Sequence, residues 1–283
     1  MRFASAAAAT IALGACFLDL NHLSGECAGA ACDAGRDETG GGASGDAAAS
    51  GDAAAVPCPS LHGPQPVRVV ARAGSFCIDS TEVTAGQYAE FLAAKGSDTS
   101  GQPPECASNA TFAPLVAPSS LPAAQAIGGV DWCDAAAFCA WAGKTLCGGF
   151  DGGSVAMTDA NDPTKSVWFA ACSADGERAY PYGGTLQRSA CNAFNRTSAP
   201  VAVGTSPSCE GGYPGIFDLT GNVQEWTASC EHGVDPAKDG CLLRGGHYTS
   251  TQDEEVGCAT PAPRYAEPRM VADRWRGFRC CSR

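Results

Sequence analysis

Apolar residues recur at helical spacing in two stretches of the chain. Thr84 and Gln87 have the spacing of a capping box, and residues 88–92 place apolar side chains on one face beyond it, so a helix is predicted to begin there. A second helix is predicted over residues 132–143, where Asp131 can cap the amino end and a glycine can end the run. The pattern thus indicates two amphipathic helices.

Elsewhere the apolar runs are short, and turn residues separate them. Strands are predicted within residues 67–78 and around 216–219, 242–244 and 277–280. The chain has 35 glycines and 18 prolines among its 283 residues, and helices and strands do not alternate as they do in parallel sheets. The sequence therefore predicts the α+β class, with much irregular backbone.

The first residues have the pattern of an export signal. Arg2 precedes an apolar stretch, residues 3–13, that is too short to span a bilayer as a helix, and the LGAC tetrapeptide that ends it is similar to a bacterial lipobox. On this interpretation residues 1–15 are removed and Cys16 carries the lipid. The protein would then be an exported, membrane-anchored lipoprotein of the periplasm or cell surface. The alternative is an ordinary signal peptide that is cut near Ala15.

The segment that follows Cys16 has no material for a core. Residues 25–56 consist mainly of alanine, glycine, serine and aspartate without an aromatic residue, and SGDAAA occurs twice in tandem. Such a composition buries too little apolar surface to offset chain entropy, so residues 16–57 are predicted to be a disordered linker. Residues 58–283 are long enough to bury one core, and a single domain is predicted there.

Cysteine usage points to an oxidising compartment, because the chain has seventeen cysteines. With Cys16 assigned to the lipid, the remaining number is even and can be consumed entirely in disulfides. Two local pairs are predicted, each closing a short loop: Cys191 with Cys209, and Cys230 with Cys241. A zinc site is not favoured, since the chain has no C-x-x-C pair and four histidines.

The charge balance excludes some partners. The formal net charge is −12, from 18 basic and 30 acidic residues. A nucleic-acid partner would require a basic face, and so would attraction to anionic lipid, so neither is expected. Residues 3–13 are too short to cross a membrane, and no other run is long and apolar enough to do so. The expected membrane contact is therefore through the N-terminal lipid.

Six motifs follow one another along residues 67–283. They are FCIDSTEVTAGQYAEFL (76–92), GGVDWCDAAAFCAWAGKTLC (128–147), YPYG (180–183), GIFDLTGNVQEWT (215–227), LRGGHYT (243–249) and RWRGFRCC (274–281). In this order they resemble the formylglycine-generating enzyme, or sulfatase-modifying factor, family. The resemblance implies a compact, disulfide-rich α+β domain that is related to C-type lectin folds. It also implies a reaction, in which family enzymes oxidise a cysteine of a CxPxR-type sulfatase segment to formylglycine with copper held by two thiolates.

The resemblance places the two catalytic cysteines of the family at Ser250 and Glu255. Hydroxyl and carboxylate oxygens do not replace soft sulfur donors at Cu(I), so copper is not expected in this chain. The nearby Cys258 is not expected to be reactive, because the resemblance assigns it to a disulfide. Two bridges are implied in this way, Cys139–Cys280 and Cys172–Cys258.

His247 lies where the family enzymes have a small serine. A catalytic interpretation makes it a base or metal ligand beside Ser250, as in hydrolases, but the sequence identifies no third group to orient it. We favour the alternative that His247 is a polar loop residue filling a vacated pocket. The acidic residues 253–255 are likewise interpreted as a solvated turn rather than a metal cage.

Three other residues are assigned structural roles. Trp226 and Trp275 are interpreted as core aromatics rather than substrate platforms, and Arg244 as a hydrogen-bonding fork. The chain also departs from the family after residues 143–147, where a Gly- and Asp-rich insertion precedes Val167.

The resemblance further implies a structural calcium ion. Its ligands would be the carboxylates of Asp218 and Glu225 and the backbone carbonyls of Gly221 and Val223. Calcium suits such a loop because it takes six to eight oxygens in flexible geometry. A second family site would begin at Asn192, but the acidic loop that should follow is not recognisable, and Asn192 is interpreted as capping a turn.

Two functions from different classes remain. The first, which we favour, is a lipid-anchored surface module that binds a peptide or another ligand, or has a structural role, without chemistry. The second is a formylglycine-generating-type oxidase that acts on exported sulfatase-like substrates. A looser resemblance to ergothioneine-type sulfoxide synthases would imply iron chemistry, but the helical domain that supplies their iron-binding histidines is not recognisable in this sequence.

Overall fold

The computed structural model describes residues 58–59 and 62–283, so the predicted signal segment and linker, with Cys16, lie outside the described residues. The α-helices of this part are α1 (Ala85–Lys95), α2 (Trp132–Trp141) and α3 (Val167–Ser173). The strands are β1 (Pro66–Ala71), β2 (Gly74–Asp79), β3 (Thr145–Leu146), β4 (Gln224–Cys230), β5 (Gly240–Arg244), β6 (Ala266–Pro268), β7 (Arg276–Phe278) and β8 (Cys280–Ser282). Short 3-10 helices lie at Pro104–Cys106, Pro118–Ser120, Met157–Asp159, Pro207–Cys209 and Pro236–Lys238. Within the described ranges, no helix has the length and apolar character that a membrane crossing requires.

Both predicted helices are present, and each begins with a capping box. The Thr84 hydroxyl accepts a hydrogen bond from the Gln87 N–H (3.2 Å), and the Gln87 side chain accepts one from the Thr84 N–H (3.0 Å). Asp131 and Asp134 make the same reciprocal pair at α2. The sequence analysis missed α3, because all seven of its residues are buried and a helix without a polar face shows no amphipathic period.

The strands form two four-stranded sheets. The first has the order β1–β2–β8–β3 with antiparallel neighbours, and the second has the order β6–β5–β4–β7, in which β4 and β7 are parallel. The predictions at 67–78 and 242–244 are confirmed by the β1–β2 hairpin and by β5. The prediction at 277–280 is confirmed in part, because Arg279 separates two strands there.

Residues 216–219 do not form the predicted strand. Phe217 makes a single bridge with Glu210. Asp218 then adopts φ 59°, in the left-handed region, which extended backbone does not include. The segment is therefore a turn that leads into the loop before β4.

Two apolar clusters form the core. In the first, the rings of Tyr88, Phe91, Phe138 and Phe278 lie 5.3–6.3 Å apart where α1 and α2 pack on the second sheet. In the second, α3 packs against the first sheet, with Trp168 among its fully buried side chains. The helices thus pack against the sheets, with α2 also joined to β8 of the first sheet through Cys139, and the loops between the strands build the candidate site.

Seven disulfides join the fourteen cysteines of the described residues. The pairs are Cys58–Cys77, Cys106–Cys133, Cys139–Cys280, Cys147–Cys281, Cys172–Cys258, Cys191–Cys209 and Cys230–Cys241. They include both bridges implied by the resemblance and both local pairs. The neighbouring Cys280 and Cys281 attach β8 to α2 and to the end of β3, so residues 58–283 form one compact, multiply cross-linked domain.

Candidate functional site

The loop that follows β5 depends on two glycines. Gly245 and Gly246 adopt φ 81° and φ 67°, in the left-handed region. A Cβ atom on Gly245 would lie 2.7 Å from the Leu219 carbonyl oxygen, and one on Gly246 would lie 2.9 Å from Val256 Cγ1. These close approaches direct residues 247–250 into a tight turn, which brings both mapped catalytic positions together.

The turn closes on itself through His247 and Ser250. The His247 N–H donates to Ser250 Oγ (2.8 Å), and the Ser250 N–H donates to the His247 carbonyl (3.0 Å). The imidazole contacts three further side chains: Nδ1 lies 2.9 Å from Thr249 Oγ1, Nε2 lies 3.4 Å from Glu255 Oε1, and the ring stacks on Trp275 with 5.2 Å between centroids. Ser250 is 2% exposed, so this network fills the interior of the loop.

Glu255 is the third group that the sequence could not identify. Burial favours its neutral form, but hydrogen bonds from His247 and Ser250 favour the carboxylate more strongly, and the pKa of Glu255 is lowered from its usual value. A signal was available in the sequence, since the resemblance already mapped Glu255 beside Ser250. The imidazole's hydroxyl partner is Thr249 rather than Ser250, so the hydrolase-type pair of Ser250 and His247 is not assembled.

The acidic turn does not gather its carboxylates around one point. Asp253 pairs with Arg188 (2.7 Å) and Glu254 pairs with Arg264 (2.8 Å), in both cases at the surface. The prediction of a solvated acidic turn therefore describes these two residues. It was wrong for Glu255, which is partly buried in the His247 network.

Arg244 and the two tryptophans have different surroundings. Arg244 is buried and donates to the Cys258 carbonyl (2.8 Å) and Asn161 Oδ1 (2.9 Å), so it joins the insertion to the end of the loop as a structural fork. Trp226 is fully buried and donates to the Val130 carbonyl (3.0 Å), as a core residue does. Trp275, also assigned to the core, is instead partly exposed beside His247.

The predicted calcium ligands lie in a buried region that already contains a cation. Glu225 Oε1 accepts from Arg279 Nη2 (2.8 Å), and Glu225 Oε2 accepts from Trp168 Nε1 (2.7 Å). Asp218 Oδ2 accepts from the Gly204 N–H (2.6 Å). A carboxylate offers about four acceptor positions, and the donors of Arg279 and Trp168 take those of Glu225. In this arrangement the donor set does not fit calcium with Glu225 as a direct ligand.

Glu82 is a further buried carboxylate beside this loop, which the sequence analysis missed. Its oxygens accept from the Val223 N–H (3.0 Å) and from Asn222 Nδ2 (2.7 Å). Burial and the neighbouring carboxylates of Asp218 and Glu225 raise the pKa of Glu82 well above its usual value. A protonated Glu82 would leave Arg279 to neutralise Glu225.

Asn192 links two loops rather than facing an acidic one. Its Nδ2 donates to Asn222 Oδ1 (3.1 Å), its Oδ1 accepts from Thr197 Oγ1 (2.7 Å), and its carbonyl accepts from the Asn222 N–H (2.7 Å). The Asn192 side chain thus bonds to two other side chains rather than to the backbone of a local turn, so its role is to join the loops.

Comparisons with known proteins agree with the six motifs. A family model described as "Sulfatase-modifying factor enzyme 1-like domain" matches residues 38–283. "Inactive C-alpha-formylglycine-generating enzyme 2" of Bos taurus is 31% identical over 165 residues, which are 54% of this chain and 48% of that protein. The protein of the same name from Mus musculus is 31% identical over 166 residues, 54% of this chain and 47% of its own length. This chain therefore spans about half the length of the curated relatives it matches.

A solved structure shows a similar fold. The structure of PvdO from Pseudomonas aeruginosa matches with a TM-score of 0.51 at 19% identity, over 74% of this chain and 80% of that one. The family match covers most of the chain, including all of the domain and the loop with Ser250 and Glu255. The chain belongs to the sulfatase-modifying factor enzyme 1-like domain family.

Proposed function

We propose that this protein is an exported, lipid-anchored member of its family that binds a peptide or another ligand, or serves as a structural surface module, without performing the family's oxidation. The observation that carries the proposal is that the described residues contain no free cysteine thiol. All fourteen cysteines of the described residues are in disulfides, and the two positions mapped to catalytic thiols hold Ser250 and Glu255.

The chemistry of the loop supports a non-catalytic role. Ser250, His247 and Glu255 offer oxygen and nitrogen atoms, and each is already engaged by another member of the network. Cu(I) selects thiolate and thioether ligands, which this turn does not supply. The two relatives named as inactive formylglycine-generating enzymes support the same conclusion.

The surface of the loop supports ligand binding. Thr249 and Trp275 are partly exposed beside His247, and they offer a hydroxyl group and an aromatic ring to a ligand. The net charge of −12 favours ligands that carry positive charge. A basic or aromatic peptide segment fits these properties better than an acidic one.

Export is supported by the cross-links and by the N-terminal sequence. Seven disulfides in one domain are typical of proteins in an oxidising compartment, which supports export. The lipobox-like tetrapeptide ending at Cys16 supplies the proposed anchor, and residues 16–57 the proposed tether.

The catalytic part of the proposal is tested by an activity assay on the purified, oxidised protein. It is incubated with copper, a reductant that spares disulfides and a CxPxR peptide, and mass spectrometry measures conversion of the cysteine to an aldehyde. The buffer is air-saturated, so that dissolved oxygen is present as the oxidant, and we expect no product above a blank that contains everything except the protein. Product that is formed by the wild type and lost in Ser250→Ala or Glu255→Gln would reject the proposal in favour of the oxidase.

The binding part is tested with peptides selected on the protein from a random phage-displayed library. We expect Trp275→Ala to weaken the selected peptides, because it removes the exposed ring beside His247. Val70→Ala is the matched control, since Val70 is an exposed apolar residue on β1. Peptides that bind both variants equally would place the binding surface away from Trp275, and a library that yields none would assign the domain a structural role instead.

A further inference from the structure

A second cleft lies away from the His247 loop. It has a volume of about 500 Å³ and is formed by α2, the end of β3, the insertion after Cys147 and the chain at Glu105. None of residues 244–258 lines it. We call it the α2 cleft, and its size is that of small-molecule sites.

The floor of the α2 cleft is apolar. Trp132, Ala136 and Ala140 face it from one side of α2, and Leu146 closes it at β3. Trp132 keeps its indole in place by donating to the Thr227 carbonyl (2.8 Å), and it is 8% exposed. An aromatic or aliphatic group that covered this floor would remove apolar surface from water.

Disulfides outside the two family bridges hold the walls of the cleft. Cys106–Cys133 ties the segment of Glu105 to α2, and Cys230–Cys241 joins β4 to β5 at another wall. Cys147–Cys281 fixes the chain where the insertion leaves β3. Residues 152–154 of that insertion line the cleft. A cleft with fixed walls loses little entropy when a ligand enters, which favours binding.

The charges around the cleft select the ligand. Lys144 is paired with Asp79 (2.5 Å) and Arg269 with Asp239 (3.4 Å), and all four side chains are buried. Glu105, by contrast, is a half-buried carboxylate without a hydrogen bond or ion pair to any residue that the structure describes. Among the residues that line the cleft, the unpaired formal charge is therefore negative; His232 is exposed at the rim, and the Arg283 side chain lies next to Gly152 in the adjoining pocket.

We propose that the α2 cleft binds small amphipathic cations, with an aromatic or aliphatic body on Trp132 and Leu146 and an amine directed to Glu105. This site is separate from the His247 loop, so it goes beyond the function proposed above and does not depend on it.

The proposal is tested with three matched probes: 2-phenylethylamine, 2-phenylethanol and phenylacetate. Each is titrated into the purified protein, with the Trp132 indole N–H resonance and calorimetry as readouts. The amine should bind about two- to five-fold more tightly than the alcohol, the range expected for one solvent-accessible ion pair, and the carboxylate more weakly than the alcohol. All three should shift the Trp132 resonance.

Two variants locate the binding. Glu105→Gln should remove the preference for the amine while leaving the affinity for the alcohol unchanged, because it removes the charge and keeps the shape. Ala140→Phe should weaken all three probes by filling the cleft, whereas Ala94→Phe, at an exposed alanine of α1, should not. Equal binding of the amine and the carboxylate, unchanged selectivity in Glu105→Gln, or no saturable shift at Trp132 would overturn the proposal.

Discussion

The ion pair between Arg279 and Glu225 offers a direct measurement of how this domain holds charge in its core. The two side chains are 0% and 1% exposed, and Arg279 Nη2 lies 2.8 Å from Glu225 Oε1. Arg279→Met removes the guanidinium while keeping most of its apolar stem. We expect this change to be among the most destabilising single substitutions in the domain, since it leaves a buried carboxylate without its counter-ion.

The magnitude follows from what Arg279 contacts. Removing one partner of a buried pair costs about 3–5 kcal/mol. Arg279 also donates to the carbonyls of Phe217 (2.7 Å) and Asp79 (3.0 Å), and a buried acceptor left without a donor costs about 1–3 kcal/mol. Because these terms overlap, the upper part of the first range is expected, which is a fall in Tm of about 8–20 °C for a domain of this size.

Glu225→Gln should cost less, about 1–3 kcal/mol, because the hydrogen bonds of a charged pair are lost while Arg279 is still compensated. The carboxylate of Asp218 lies close enough to Arg279 to act on it, and a glutamine oxygen can still accept from Trp168. The double variant should be less destabilised than the sum of the two single changes, as for any coupled pair.

Unfolding in guanidinium chloride, followed by tryptophan fluorescence in the absence of thiol reductant, measures these differences in the free energy of unfolding. Arg72→Met is the matched control, because Arg72 pairs with Glu177 at the surface, where the side chains are 68% and 63% exposed. A much smaller change than for Arg279→Met is expected there, because solvent screens the exposed pair. If Arg279→Met were no more destabilising than Arg72→Met, the central role assigned to the buried pair would be wrong.

The same unfolding measurement also tests whether calcium stabilises the domain through Glu225. With Arg279 neutralising Glu225, we expect calcium and a chelator to leave the stability of the wild type unchanged. A rise in Tm with calcium that Glu225→Gln abolishes would instead restore the ligand set implied by the resemblance.

Two further predictions concern the buried carboxyl group of Asp134 and the two disulfides that end at Cys280 and Cys281. Burial, and then the Asp131 carboxylate, raise the pKa of Asp134 to about 7, so its contribution to stability is full at low pH and is lost as the pH rises through about 7. Asp134→Asn, which stays neutral, should therefore gain stability relative to the wild type as the pH rises from 4 to 8, measured by urea unfolding; a constant difference would contradict this. Replacing either Cys139–Cys280 or Cys147–Cys281 by serines should cost about 3 kcal/mol, because the other bridge still closes the long loop, whereas replacing both should cost about 7–8 kcal/mol. Additive effects of the two replacements would reject this account.

Local chemistry explains which elements could be predicted. The caps at Thr84 and Asp131 are formed by side chains three residues apart, so the sequence contains both partners. The prediction of a strand at 216–219 was wrong because the backbone of Asp218 is left-handed, and an apolar pattern does not reveal such a conformation. Helix α3 was missed for a related reason, since its burial on every side comes from tertiary packing.

In the candidate site, too, the sequence predicted which residues occupy the positions, whereas their contacts depend on the fold. The resemblance placed Ser250 and Glu255 at the catalytic positions, but only the fold shows that both contact His247. Trp275 lies 28 residues from His247 in sequence, and no local pattern indicated that their rings would stack. Long-range contacts of this kind depend on the sheet order that brings β5 and β7 together around β4.

If the absence of sulfur at positions 250 and 255 is what keeps this loop from binding copper, introducing sulfur there should create copper binding. Ser250 Oγ accepts from the His247 N–H and Glu255 Oε1 lies 3.4 Å from His247 Nε2, so both side chains adjoin one residue and their replacements are expected to reach a shared ion. We expect Ser250→Cys/Glu255→Cys to bind Cu(I) under anaerobic conditions with ascorbate, which leaves the seven disulfides intact, because two thiolates are the soft ligands that Cu(I) selects.

Competition with a chromogenic Cu(I) chelator gives the affinity, with the wild type and Ser250→Ala/Glu255→Gln as controls that should not compete. Copper binding by the wild type would show a soft donor where none is expected. Failure of the double cysteine variant would mean that Ser250 and Glu255 do not stand where the family holds its thiolates. In that case Ser250 and Glu255 would no longer argue against copper chemistry, and the oxidase would again have to be weighed against the binding module.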